Sequence, residues 1–217
     1  MINLKKKLIF GKYQIIKLLN IGSFSSVFQG KNINNGKKVA IKIEDWKTKG
    51  NFLEGEAYIL YELKGIGVPE VISFRNVGKY KVLVETLFGE TLLDLFKKLK
   101  QNFHIKDICM IAIQLIEILE YIHSKFIIHR DLKPDNIVVD YETKRTISLI
   151  DFGLAKKYRS SRTGNHIKFS MPKIAIGTIY YCSINANRGG QQSRRDDLES
   201  VAYILILFAK KLYLGII

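Results

Sequence analysis

Residues 129–136 read His129-Arg130-Asp131-Leu132-Lys133-Pro134-Asp135-Asn136, and fifteen residues past Asn136 come Asp151-Phe152-Gly153. A three-residue match such as the second arises by chance. The two in this order, joined by a short hairpin-like stretch, form a far more specific combination. Before this segment, residues 107–124 are apolar almost all round, with Gln114, Glu117 and Glu120 as a thin polar stripe. That pattern predicts a helix in the middle of a helical lobe.

Toward the N-terminus the period changes from helix to strand. Residues 13–19, 26–31 and 38–43 alternate, with breaks at Gly22, Gly30 and the Asn34-Asn35-Gly36 turn. A helical segment near 51–63 follows, then Pro69 and strand-like sequence through Leu87; beyond Gly89 the pattern is helical. The sequence therefore predicts an α+β chain in two parts, a β-rich 1–86 and a larger helical 87–217.

Composition narrows the function classes. With 47% hydrophobic and 25% charged residues the chain is globular rather than disordered. Its two cysteines, Cys109 and Cys182, supply neither a disulfide framework nor a zinc site and fit a reducing compartment, cytoplasm or nucleus. The N-terminal MINLKKKLIF lacks the apolar core of a signal peptide. The apolar C-terminal stretch is interrupted by Lys210 and Lys211, short of the roughly 20 residues a membrane span needs, and reads as a buried helix. The net charge of +15, with basic clusters at 5–7, 97–100, 156–162 and 194–195, implies an anionic partner. No zinc finger, RNP-type strand or helix-turn-helix pattern accompanies it, which disfavours nucleic acid.

The 129–136 segment resembles the protein-kinase catalytic loop H-R-D-L-x-x-x-N, and Asp151-Phe152-Gly153 the D-F-G element after it. Phosphoryl transfer asks for positive charge against the phosphates and an acceptor oxygen held in line. The resemblance implies that Asp131 orients the substrate hydroxyl and Lys133 neutralises charge on the transferred group. It also implies that Asn136 and Asp151 hold Mg2+ and that Thr178 of the substrate loop belongs to the catalytic set. Lysine at position 133 resembles serine/threonine rather than tyrosine kinases.

Upstream, Val39-Ala40-Ile41-Lys42 is similar to the V-A-I-K strand. Alternation puts Ala40 and Lys42 on one face, so Ala40 would touch adenine and Lys42 the ATP phosphates. A carboxylate must hold Lys42. Glu54, Glu56 and Glu62 are nearby, and Glu56 fits best by its E-x-x-I-L context. The nucleotide loop reads Asn20-Ile21-Gly22-Ser23-Phe24-Ser25-Ser26-Val27, keeping only the middle glycine of G-x-G-x-x-G-x-V, which predicts weaker ATP binding. Ile21, Gly22, Val27, Thr86, Phe88 and Val138 complete the nucleotide contacts that the resemblance implies.

At finer grain the chain resembles the casein kinase I family, through EYIHSKFIIHRDLKPDN (120–136), LIDFGLAKKYR (149–159), CSIN (182–185) and QSRRDDLES (192–200). Ser183-Ile184-Asn185 stands where most kinases carry A-P-E. Asp197 matches the aspartate that braces the catalytic loop. The resemblance implies a bilobal kinase using ATP and Mg2+ to phosphorylate serine or threonine, with acidic protein substrates.

Three positions depart from the family: the eroded loop, Glu85 and Tyr180. Counting back from Gly89 places Glu85 beside adenine, where an apolar residue is usual; a buried carboxylate there needs a partner. Either the register or the nucleotide fit therefore departs from the family. Tyr180 replaces the arginine that binds a priming phosphate, while Lys173 remains. The family's helices also continue past the point where this sequence stops. A truncated helical lobe would leave apolar faces around Ile204, Leu205, Leu207, Phe208 and Leu212 for a partner or for self-association. The residues thus leave open an active enzyme, an inactive or weakly active kinase-like binding module and, with the motifs unexplained, a basic nucleic-acid binder.

Overall fold

The computed structural model describes residues 8–22 and 24–214, with side chains through Lys210 inside the last helix. Lys5, Lys6, Lys7 and Ser23, and the side chain of Leu212, lie outside the described residues. The fold is α+β, and the chain divides into two compact units. The first comprises the chain up to Lys64 together with Pro69–Phe88; the second comprises Gly65–Val68 and everything from Gly89 on.

The first unit is a five-stranded antiparallel sheet with one helix. Its strands are β1 (Tyr13–Ile21), β2 (Ser26–Asn32), β3 (Lys38–Asp45), β4 (Val71–Val77) and β5 (Tyr80–Thr86), in the order β1-β2-β3-β5-β4. The helix, α1, spans Phe52–Glu62. Alternation gives the sheet two unlike faces. On one, Val39, Ile41 and Ile43 of β3 and Val82 and Val84 of β5 pack with Ile9, Tyr13 and Ile15 into a buried apolar cluster. On the other, β3 offers Ala40, Lys42 and Glu44, and β5 offers Lys81, Leu83 and Glu85. This second face meets α1, where Leu53 donates its backbone N–H to Glu44 at 2.9 Å.

Gly30, expected to break the pattern, instead lies inside β2, opposite Val39. A side chain there would sit 2.4 Å from Ile41 Cδ1, so glycine serves close packing rather than a turn. The loop between β2 and β3 does turn at Gly36, whose φ is +74°, as its Asn-Asn-Gly sequence predicts.

The second unit is mainly helical. It contains α2 (Leu92–Lys98), α3 (Ile105–Ser124), α4 (Ile184–Asn187) and α5 (Arg194–Leu214). Among the described residues two short antiparallel pairs hold its loops: β6 (Ile127–Ile128) with β9 (Lys156–Lys157), and β7 (Ile137–Val139) with β8 (Ile147–Leu149). Thr91 caps α2 by accepting from the Asp94 N–H at 3.0 Å, and His104 caps α3.

The central-helix expectation for α3 needs correction. Ile108, Ile111, Leu115, Ile118, Leu119 and Ile122 are buried, but Met110, Ile113 and Ile116 are exposed. The helix is therefore buried along one face only. Gln114 of the polar stripe ties it to the β7–β8 pair, accepting from Ile147 N–H at 2.9 Å and donating to the Arg145 carbonyl at 3.2 Å.

The expectation of exposed apolar residues on α5 also changes. Ile204 and Phe208 are buried, because Phe208 packs its ring against Phe96 and Phe103 with centroids 5.0 and 4.9 Å away. Leu205 and Leu207 are half-buried, and Ile206 is 64% exposed. Among the described residues no helix is long and apolar enough to cross a membrane.

Candidate active site

In the first unit, β3 carries Ala40 and Lys42 and α1 carries Glu56. Lys42 Nζ lies 2.5 Å from Glu56 Oε1 and 3.1 Å from Glu85 Oε1. All three are buried, at 5%, 3% and 2% exposure. The sheet register explains the second contact. Lys42 faces Leu83 across the ladder and Ala40 faces Glu85, so Glu85 is the diagonal neighbour of Lys42 on the same face. The partner that a buried carboxylate at position 85 requires is thus Lys42. Of the other two glutamates weighed against Glu56, Glu54 pairs with Lys81 at 3.1 Å.

At the turn from β1 to β2, Ile21 ends β1, Gly22 opens the loop and Val27 lies in β2. Asn20 pairs with Val27 and Ile21 with Ser26, and the Gly22 N–H donates to the Ser25 carbonyl at 2.9 Å. Neither Asn20 nor Ser25 adopts positive φ, so the pairing needs no glycine at either position. Phe24 stacks on Phe52 of α1 with centroids 3.7 Å apart. At the end of β5, Thr86 bonds Glu70 through its backbone N–H at 3.1 Å, and Phe88 is half-buried.

In the second unit the residues between β6 and β7 form one hydrogen-bonded constellation. Lys133 Nζ donates to Asp131 Oδ2 at 2.8 Å, and the Thr178 hydroxyl donates to Asp131 Oδ1 at 2.7 Å. Lys133 Nζ is also 3.2 Å from Thr178 Oγ1, which closes a triangle. Asn136 Nδ2 donates to the Asp131 carbonyl and to Asp131 Oδ2, at 2.8 and 3.1 Å. Burial alone would push the Asp131 carboxyl up. Hydrogen bonds from Lys133 and Thr178, with the charge of Lys133, outweigh it and hold Asp131 below the ordinary aspartate range.

The backbone around Asp131 is fixed from behind. Asp197 of α5 accepts the His129 N–H at 2.9 Å and the Arg130 N–H at 3.0 Å, and His123 Nε2 lies 2.9 Å from the same carboxylate. Arg130 has φ +70°, so its backbone is held in a region that non-glycine residues seldom occupy. Burial pushes the His129 pKa down despite the nearby charges of Asp197, Asp131 and Asp151. Its Nδ1 accepts from the Asp131 N–H at 3.2 Å and its Nε2 donates to the Ile150 carbonyl at 3.1 Å, which selects the neutral Nε2–H tautomer.

Asp151 follows β8, is exposed and has φ +65°. It is set beside Asn136 by the β7–β8 pair and by the bond from Ile150 N–H to the Asn136 carbonyl, 2.9 Å. Val138 is buried in β7. Thr178 owes its place to Gly177, whose φ is +108° and where a Cβ would sit 2.6 Å from the Arg130 carbonyl oxygen.

The family model described as the protein kinase domain matches residues 13–213. The chain belongs to the protein kinase family. Membership implies use of ATP with a divalent metal, and protein substrates. The kinase's own residues fit such a metal: Asp151 and Asn136 are hard oxygen donors, and Asn136 spends its NH2 on Asp131 while keeping its Oδ1 as an acceptor. Among the described residues no cluster of three or more His, Cys, Asp or Glu could hold a metal by itself. A metal shared with phosphate oxygens needs only one or two protein ligands.

Several supporting residues of the kinase were not singled out by sequence reasoning. Asp196 accepts from Ser183 Oγ at 2.5 Å, Asn185 Nδ2 at 3.0 Å and the Ser193 N–H at 2.7 Å, while Glu199 accepts the Ile184 N–H at 2.8 Å. These bonds anchor the Ser-Ile-Asn stretch to α5. The adjacent acids in Arg-Arg-Asp-Asp were the available signal. Tyr180 is 88% exposed.

Proposed function

We propose that the chain is a serine/threonine protein kinase of the casein kinase I type, acting with ATP and Mg2+. The observation that carries this reading is the Asp131–Lys133–Thr178 triangle, in which one carboxylate is gripped by a lysine two residues on and a threonine 47 residues on. A serine or threonine hydroxyl accepted by Asp131 attacks the γ-phosphorus as the bond to the β–γ bridging oxygen breaks. The hydroxyl proton passes to Asp131 and ADP carries the released charge. Lys133 offsets negative charge on the transferred group, and Asn136 fixes the Asp131 carboxylate. Asp151 and Asn136 would hold the metal, which when bound would supply further positive charge against the phosphates. Lys42, with Ala40 beside it on β3, is assigned to the nucleotide, as are Ile21, Gly22, Val27, Thr86, Phe88 and Val138.

The Ser-Ile-Asn anchorage on Asp196 and Glu199 supports the subfamily assignment. The excess of positive charge supports acidic substrates. Two free cysteines, one exposed and one buried, support a reducing compartment such as cytoplasm or nucleus. The exposed Ile206 and half-buried Leu205 and Leu207 support a partner or self-association at α5. A second reading, a weakly active or inactive binding module, is favoured by the Glu85 contact to Lys42.

Phosphate transfer from Mg-ATP to matched acidic peptides bearing serine, threonine or tyrosine tests the proposal. Serine and threonine should be labelled and tyrosine not, and Asp131→Asn should reduce the rate at least about 100-fold with little change in melting temperature. Stabilisation by Mg-ATP without transfer to any peptide would favour the binding module.

A further inference from the structure

Lys42 sits between two buried carboxyl groups, so that one ammonium faces two acidic side chains. An ammonium has three N–H donors, and Glu56 and Glu85 both draw on them. The two holds are unequal: Glu56 approaches to 2.5 Å and Glu85 to 3.1 Å. Glu85 is therefore the partner that Lys42 gives up more readily.

On this basis, and resting on the assignment of Lys42 to the nucleotide, we propose that Glu85 is an internal brake on nucleotide binding. It competes with the phosphates of ATP for the Lys42 ammonium. A phosphate oxygen that recruits Lys42 must draw it away from Glu85 and leave a buried carboxylate with less of its cation, which is costly in a dry face. The same carboxylate repels the incoming anion directly. Both penalties arise from the phosphate charge and so grow from adenosine to ADP to ATP. Glu85 thereby sets how much ATP the chain needs before Lys42 is engaged.

The experiment is isothermal titration of the full chain with Mg-ATP, Mg-ADP and adenosine, for wild type, Glu85→Gln and Glu85→Met. Both substitutions remove the charge, and Glu85→Met also tests whether a side chain of similar length suffices; unliganded melting temperatures identify a variant that does not fold. The expected result is Mg-ATP binding about tenfold tighter in the charge-free variants, a smaller gain for Mg-ADP, and the smallest gain, if any, for adenosine, which reads whatever the changed side chain does to the base alone. Unchanged or weaker Mg-ATP binding in the folded variants would overturn the brake while leaving the nucleotide assignment standing. An equal gain for adenosine and Mg-ATP would also overturn it, since the effect would then lie with the base. Absence of binding by every form, wild type included, would remove the nucleotide assignment and the brake together.

Discussion

In the strand-built unit, Lys42, Glu56 and Glu85 bury their charges by holding one another through side chains. In the helical unit, Asp197 and Asp196 are held partly by backbone N–H groups, from His129 and Arg130 in one case and Ser193 in the other. The two arrangements respond differently to a ligand. A carboxylate bonded to backbone N–H stays in place as long as the loop does, so it serves as a fixed reference for Asp131. A carboxylate held by a lysine is released once that lysine is recruited elsewhere. One unit is built for fixed geometry, the other for exchange of partners.

The comparison is broken most severely by removing the shared cation. Lys42→Met leaves Glu56 and Glu85 facing each other in a buried site, and should cost about 4 kcal/mol in chemical denaturation. Adding Glu85→Met to it should recover a large part of that loss. If Lys42→Met melts like wild type, the trio does not carry the buried charge described here. A slightly smaller effect is expected on the other side. Asp197→Ala strips an acceptor from two backbone N–H groups and from His123, and should cost about 3 kcal/mol. Because Arg130 is held at positive φ, this variant should also lose transfer activity in proportion far beyond its lost stability. Loss of stability with the kcat of the folded fraction intact would show that the brace is not needed for the geometry of Asp131.

Much of the fold was legible because it is written in short periods. Alternation in residues 38–43 put Lys42 and Ala40 on one face, and the change of period near Gly89 marked the passage from sheet to helices. The local part of the site was legible for the same reason: Lys133 reaches Asp131 from two residues away. What was not legible depends on register and on distant closure. A carboxylate at position 85 looked costly from the sequence, and only the β3–β5 register places its partner, Lys42, on the diagonal. Asp196 and the tautomer of His129 likewise depend on contacts with segments far along the chain. Gly30 misled because glycine serves close packing as well as turns, and the difference lies in what stands diagonally across the ladder, here Ile41. The apolar pattern of α3 misled because a helix rich in isoleucine looks buried all round even when only one face is covered.

The smallest effect is a pH dependence that the helical unit carries at His129. His129 is buried and neutral, with its pKa below the ordinary histidine value, so the folded chain binds fewer protons there than the unfolded chain once the pH falls below about 6.5. Stability contributed by the neutral ring is complete above that pH and is lost progressively as the pH falls toward the depressed value, at no more than about 1.4 kcal/mol per pH unit. Asp131, also depressed, is lost only at pH values below the ordinary aspartate range, so it does not contribute in this window. Unfolding free energies at pH 7.5, 6.5 and 5.5 should therefore fall for wild type. His129→Asn should be less stable at pH 7.5, because it loses the ring's fit against Phe152, yet its curve should be flatter by up to one proton's worth of slope. Parallel curves for the two proteins would mean that folding leaves the proton affinity of the ring unchanged, so that below about pH 6.5 it is charged in the fold as readily as in the unfolded chain. Its Nδ1 could then no longer accept the Asp131 N–H, and the loop would need another means of holding that backbone.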